Sequence, residues 1–160
     1  MSSEQPARSH SAADPAIRVL IVDDHPLLRD GVEALINVQP DMKLVAQASN
    51  GREGVEEYFR HLPDITLMDM QMPEKSGIEA LIAIRKKSSD ARIIILTTHS
   101  GDVQTRRAME AGAKAYLLKN SRTPGTVGHH PRGACWRQDS VSRYCRRTCG
   151  TFGCRPSHAA

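Results

Sequence analysis

The sequence predicts an α/β fold, a doubly wound parallel sheet of five strands, and three observations carry that prediction. Five apolar, β-branched runs alternate with amphipathic stretches along residues 17–118. The longer runs show no polar/apolar alternation, as expected of strands buried on both faces. The runs also end on polar or charged residues: Asp23 and Asp24, Asp69, Thr97, and Lys119. In open parallel sheets, ligands bind outside the carboxyl ends of the strands, so these residues are the first candidates for a site.

Each element follows from local chemistry. Residues 17–22 (Ile-Arg-Val-Leu-Ile-Val) form the first strand. Pro26 suits the first turn of a helix, where its missing N–H is no loss, and Leu28, Val32, Leu35 and Ile36 keep one face of that helix apolar. Residues 43–48 form a shorter second strand. Asn50-Gly51-Arg52-Glu53 resembles a capping box opening a helix to about Arg60. Residues 65–68 are the third strand. Gly77 precedes a helix whose Ile78, Leu81 and Ile82 share a face. Residues 92–96 are the fourth strand. Asp102 caps a helix to about Ala111, which Gly112 stops. Residues 115–118 are the fifth strand.

Charge is unevenly placed over the 160 residues. Residues 1–120 carry 15 Lys and Arg against 17 Asp and Glu, whereas residues 121–160 carry seven Arg and one Asp. All four cysteines (Cys135, Cys145, Cys149, Cys154) and Trp136 also lie in the later part, and the cysteine-free residues 1–120 fit a reducing cytoplasm. The Ser/Ala/Pro-rich residues 1–15 read as a disordered lead without the apolar core of a signal peptide. No apolar run approaches membrane-spanning length, so no membrane association is expected.

Three segments carry a family resemblance: Asp23-Asp24-His25-Pro26-Leu27-Leu28-Arg29-Asp30-Gly31, Asp69-Met70-Gln71-Met72-Pro73, and Ala111-Gly112-Ala113-Lys114-Ala115-Tyr116-Leu117-Leu118-Lys119. In type, order and spacing they resemble the receiver domain of a two-component response regulator, a flavodoxin-like (CheY-like) fold. The His-Pro after the acidic pair resembles the NarL/FixJ branch, which carries a LuxR-type helix-turn-helix. The resemblance implies that Asp69 is the phosphoacceptor, that Asp23, Asp24, Asp69 and the Gln71 backbone carbonyl hold Mg²⁺, and that Lys119 contacts the phosphoryl group. It further implies that Thr97 is the switch hydroxyl, with Thr98 the neighbouring alternative, and that Tyr116 is the aromatic that changes rotamer with it. The implied partners are a sensor histidine kinase, possibly a second copy in a homodimer, and DNA only through an output domain that this sequence does not contain. Taken singly, an acidic pair, an Asp-x-x-x-Pro turn and a lysine after a strand are commonplace; their order on consecutive strand ends is what carries weight.

The residue types suit the chemistry. A carboxylate attacking a phosphoryl group meets like charge, which Mg²⁺ offsets by bridging acid and phosphoryl oxygens. An ammonium adds a point charge where negative charge collects. Clustered carboxylates repel one another, so one of them is expected to have a raised pKa without metal. A hydroxyl that follows the new phosphoryl oxygens opens a space for an aromatic ring, which makes a two-state element. A small phosphatase of similar layout would need a second general acid, which the Asp-Met-Gln-Met-Pro context does not supply. A stand-alone phosphoryl-accepting or partner-docking module is the other reading, and an inactive remnant a further one; at most weak self-dephosphorylation is expected.

The pattern departs from the family after Lys119. A last helix belongs there, but residues 121–133 contain two prolines and three glycines. Arg, Gly, Cys, Pro and His have GC-rich codons. Back-translation of residues 125–133, read one nucleotide later, permits Glu-Leu-Leu-Gly-Thr-Ile-Arg-Ala-Val, an amphipathic helix of the expected kind. We therefore read residues 121–160 as a basic tail with the composition of a frameshifted ending, and residues 16–120 as the receiver. Without the helix, the sheet face near Leu117 is expected to be open unless the tail or another chain covers it, with lowered stability and a tendency to associate. Other readings of the tail are a zinc site from Cys145, Cys149 and Cys154 with Cys135 or His129 and His130, though the close Cys-x₂-Cys pairs of strong zinc motifs are absent, and nonspecific nucleic-acid binding by its arginines.

Overall fold

The computed structural model describes residues 16–98, 103–119 and 133–135. In chain order the elements are β1 (Ile17–Val22), α1 (Pro26–Asn37), β2 (Met42–Ala48), α2 (Gly51–His61), β3 (Ile65–Asp69), α3 (Gly77–Lys87), β4 (Ile93–Thr97), α4 (Val103–Glu110), β5 (Ala115–Leu118) and β6 (Gly133–Cys135). The sheet order is β2-β1-β3-β4-β5-β6, with every neighbouring pair parallel. The five expected strands form its body. Because β1 lies between β2 and β3, the strand order reverses there and leaves a crevice at the carboxyl ends of β1 and β3.

Side-chain alternation sorts the strands into two cores. Ile17, Val19, Ile21, Ile65, Leu67, Ile94, Leu96, Ala115 and Leu117 face one side with Val32 and Ile36 of α1. Leu20, Val22, Met68, Ile93 and Ile95 face the other, with Tyr58 of α2, Leu81 and Ile84 of α3, and Ala108 of α4. Each face is dry, which explains why the runs read as continuous rather than alternating.

The caps hold each helix at its strand end. Pro26 occupies the first turn of α1. Asn50 Oδ1 accepts the Glu53 N–H at 2.9 Å, while the Glu53 carboxylate reaches back one residue further than a standard box, to the Ser49 N–H and hydroxyl. Those two bonds, the backbone one foremost, hold the Glu53 carboxyl below its ordinary pKa. At α3 a full capping box joins Ser76 and Glu79, a Ser-x-x-Glu signal that was also legible in the sequence. Gly112, at φ +104°, ends the turn after α4, as its position suggested.

Three outcomes are informative beside what the sequence led us to expect. Ile82, expected on the apolar face of α3, is 40% exposed; Ala80, Leu81 and Ile84 take the buried positions instead. Leu117, around which an open face was expected unless the tail or another chain covers it, is fully buried, as are Ile94, Leu96 and Ala115 beside it. A short sixth strand, in a stretch read as tail, pairs with β5 through Tyr116↔Gly133, Leu117↔Ala134 and Leu118↔Cys135. It occupies the N–H and C=O groups that β5 would otherwise present as a bare edge. Asp102 and Asn120, and the tail ligands His129, His130, Cys145, Cys149 and Cys154, lie outside the described residues.

Candidate functional site

Strand register builds the site. Val22 of β1 is opposite Met68 of β3, so the residues that follow, Asp23 and Asp69, end neighbouring strands. Asp69 is opposite Leu96 of β4, and Thr97 is opposite Leu118 of β5, which places Thr97 and Lys119 on the adjoining ends. A tight backbone approach fixes Asp69 from behind. Gly77 N–H donates to the Met70 carbonyl at 3.1 Å, and a Cβ on Gly77 would lie 2.0 Å from the Asp69 carbonyl oxygen. Only glycine fits there.

The cluster is ionic and largely dry. Asp23 is fully buried and Asp69 nearly so. The ammonium of Lys119, whose side chain is 9% exposed, stands 2.6 Å from Asp23 Oδ2 and 2.9 Å from Asp69 Oδ2. Both of those oxygens are buried and have no aligned hydrogen bond, so the ion pair is their compensation. Asp24 is half-buried beside His25, whose Nδ1 is 2.9 Å from Asp24 Oδ1 and 3.0 Å from Asp23 Oδ1. Backbone contacts hold the loop: the His25 N–H donates to Asp23 Oδ1 at 2.8 Å, and the Arg29 guanidinium donates to the Asp23 carbonyl at 2.6 Å. The Gln71 N–H donates weakly to Asp69 Oδ1 at 3.4 Å.

Burial raises the Asp69 carboxyl above its ordinary 3.8. The Lys119 contact opposes that rise, and repulsion from Asp23 adds a smaller push in the same direction. Mutual repulsion among the carboxylates, the cause their clustering in the sequence suggests, is the smaller contribution, and desolvation the larger.

Asp23, Asp24, His25 and Asp69 can each turn a donor atom toward a common point, those atoms all lying within 4.8 Å of one another. Asp23 and Asp69 share one ammonium, and Asp24 adds a further carboxylate beside them, so negative charge is in excess. Buried oxygens without aligned hydrogen bonds complete a donor set suited to a hard divalent cation. The residues present therefore fit Mg²⁺.

Thr97 and Tyr116 lie on the next strands outward. Thr97 is buried, and its carbonyl accepts the Lys119 N–H at 2.7 Å, so β4 and the lysine are joined through the backbone. Thr98, one residue beyond β4, is exposed. Tyr116 is half-buried against the second core. His25 and Arg29 were not singled out from the sequence as site residues. Their only signal was adjacency to the acidic pair, and loop geometry decides whether such neighbours reach the site.

Residues 19–126 match the response regulator receiver domain family. The chain belongs to that family. Relatives of this receiver include the transcriptional regulatory protein LiaR of Bacillus subtilis, 43% identical over 106 residues, 66% of this chain and 50% of that one. The nitrate/nitrite response regulator NarL of Escherichia coli K12 is 40% identical over 122 residues, 75% of this chain and 51% of that one. Among solved structures, a LuxR-family response regulator from Aurantimonas sp. SI85-9A1 is 40% identical with a TM-score of 0.63, covering 67% of this chain and 76% of that one. The response regulator domain of Thermotoga maritima CheB has a TM-score of 0.70 at 32% identity, covering 84% and 97%. The receiver spans about half the length of the curated relatives it matches. Among the described residues no helix is long and apolar enough to cross a membrane.

Proposed function

We propose that this receiver takes a phosphoryl group from the phosphohistidine of a sensor histidine kinase onto Asp69, with Mg²⁺ held by Asp23, Asp24, Asp69 and the Gln71 backbone carbonyl. The observation that carries this reading is the Lys119 ammonium seated between two buried carboxylates at adjacent strand ends. In the transfer an Asp69 carboxylate oxygen attacks phosphorus, the P–N bond to the kinase histidine breaks, and its electron pair stays on the imidazole. An acyl phosphate forms on Asp69. Lys119 stands where the phosphoryl oxygens gather charge, at the cost of loosening its hold on Asp69. Bound Mg²⁺ would neutralise charge shared between the acid and the phosphoryl oxygens. The domain acts as an acceptor, with at most weak self-dephosphorylation.

The modified Asp69 then draws on its outward neighbours. Thr97 as switch hydroxyl and Tyr116 as the responding aromatic form the proposed two-state element, supported by the direct backbone link between Thr97 and Lys119. We take residues 16–120 as this receiver unit, preceded by a lead, residues 1–15, and followed by a basic tail, residues 121–160, of which Gly133–Cys135 adds an edge strand. A cytoplasmic setting, homodimerisation and transcriptional output through a separate DNA-binding domain follow from the family. A stand-alone module without DNA binding is the alternative.

The test is incubation of the full chain with acetyl phosphate and Mg²⁺, read on a phosphate-affinity gel. A retarded species that disappears in Asp69→Asn and without Mg²⁺ is expected. An equally retarded Asp69→Asn protein would overturn the assignment.

A further inference from the structure

We infer that Thr105 is a positioning residue of the switch, whose hydroxyl becomes the partner of the Tyr116 hydroxyl once Asp69 carries a phosphoryl group. The inference rests on the reading of Thr97 and Tyr116 as the two-state element. Its own observation lies on α4, away from the acidic cluster. Thr105 and Ala108, one turn apart, are the buried residues of that helix. Thr105 is only 4% exposed, yet its Oγ1 has no hydrogen-bond partner among the described residues. A helical threonine can bond a carbonyl of the preceding turn, and buried hydroxyls are seldom left unpaired. The resting fold therefore carries a cost that another arrangement of the same side chains can relieve.

Placement selects the partner. Ala108 packs in the second core with Ile93 and Ile95, so the buried stripe of α4 faces that side of the sheet. Tyr116 is opposite Ile95 in the β4–β5 register and packs against the same core. Thr97, two residues beyond Ile95, falls on that side too by strand alternation. The chain enters α4 from the carboxyl end of β4 and leaves it for the start of β5, so Thr105, near the beginning of the helix, lies toward the Thr97 end. The Tyr116 hydroxyl also makes no hydrogen bond to a described residue. Two hydroxyls without partners thus share one face, the first fixed on a helix and the second on a long, half-buried side chain. Tyr58, by contrast, already closes such a pair with the Ser88 hydroxyl at 3.0 Å. Thr66, the other buried hydroxyl without a partner among the described residues, stands on β3, with β4 between it and Tyr116.

The full chain, labelled with 3-fluorotyrosine, is observed by fluorine NMR before and after addition of Mg²⁺ and beryllofluoride, a phosphoryl mimic. Loss of a resonance in Tyr116→Phe assigns Tyr116. In the wild type that resonance should move. In Thr105→Val, which keeps the shape and removes the hydroxyl, it should stay near its resting position. Beryllofluoride should then bind about fivefold more weakly, the effect of one net hydrogen bond, and Thr105→Ser should restore both readouts. Without beryllofluoride, Thr105→Val should melt no lower than the wild type, because the hydroxyl it loses had no partner. Combining Thr105→Val with Tyr116→Phe should weaken beryllofluoride binding no further than either change alone. A full Tyr116 shift in Thr105→Val would overturn the inference, as would additive losses in the double variant. So would a lower melting temperature without beryllofluoride, the mark of a hydroxyl that serves the resting fold. A Tyr116 resonance that stays still in the wild type, or moves equally in Asp69→Asn, would instead overturn the two-state reading, and the role of Thr105 with it.

Discussion

The middle of the sheet and its carboxyl edge are equally dry but built from opposite materials. Ile21, Leu67 and Ile94 are fully buried in the interior, and Asp23 is fully buried at the edge, with Asp69 and Lys119 close to it. The interior is stable because apolar surface has left water. The edge persists because each buried charge faces an opposite one, and that compensation is conditional. Interior packing is indifferent to protons and cations, whereas the edge answers to both. A site that must respond to a phosphoryl group is therefore confined to strand ends, where the fold can hold charge without putting it in the core.

Breaking the edge should cost most. Lys119→Met leaves Asp23 and Asp69 facing each other uncompensated, and we expect a loss of about 3–5 kcal/mol in urea unfolding at neutral pH in metal-free buffer. Adding Asp69→Asn to that variant should recover part of the loss. A Lys119→Met protein as stable as the wild type would mean that water already solvates the edge. Breaking the interior should cost nearly as much but respond differently. Leu67→Ala is expected to lose roughly 2–5 kcal/mol, and the same amount at pH 5 and pH 8. A strong pH dependence of that loss would erase the distinction between the two regions.

Protons sharpen the comparison further. Because burial lifts the folded Asp69 carboxyl above its ordinary 3.8, the native state keeps a proton that the unfolded chain has released. The associated stability is fully present below 3.8 and is lost as pH rises through the elevated folded value. Without metal, the wild type should thus lose stability relative to Asp69→Asn as pH climbs from about 4. Parallel denaturation profiles across that range would show that the residue titrates as an ordinary surface acid. The smallest effect is expected at a helix cap. Asn50→Ala removes the cap of α2 and should cost about 1 kcal/mol at any pH, with phosphoryl acceptance unchanged on the gel.

The same contrast explains what the sequence disclosed. Five strands were legible because long apolar runs leave little else for a chain to do, and Asp23, Asp69, Thr97 and Lys119 were legible because polar residues closing such runs must fall at one edge. β6 was not, since Gly133, Ala134 and Cys135 make no apolar run and are held by pairing with β5. His25 and Arg29 escaped for a related reason: their contacts are to a loop carbonyl and to carboxylates whose direction depends on backbone turns. Ile82 was misplaced because helical periodicity sets a face but not its width; in α3 the buried stripe runs through Ala80, Leu81 and Ile84.

The lysine clasp also dictates an order of events during synthesis. Asp23 leaves the ribosome with β1, Asp69 much later with β3, and Lys119 only after β5. Domains tend to fold as they emerge, at about 5–20 residues per second. A nascent chain can therefore pair β1 with β2 and β3 while two carboxylates still confront each other across the gap. It then waits several seconds for the ammonium that reconciles them. Until that residue arrives the growing sheet should stay ajar at its carboxyl end, and a ribosome stalled before Lys119 should display a chain that proteases can open there.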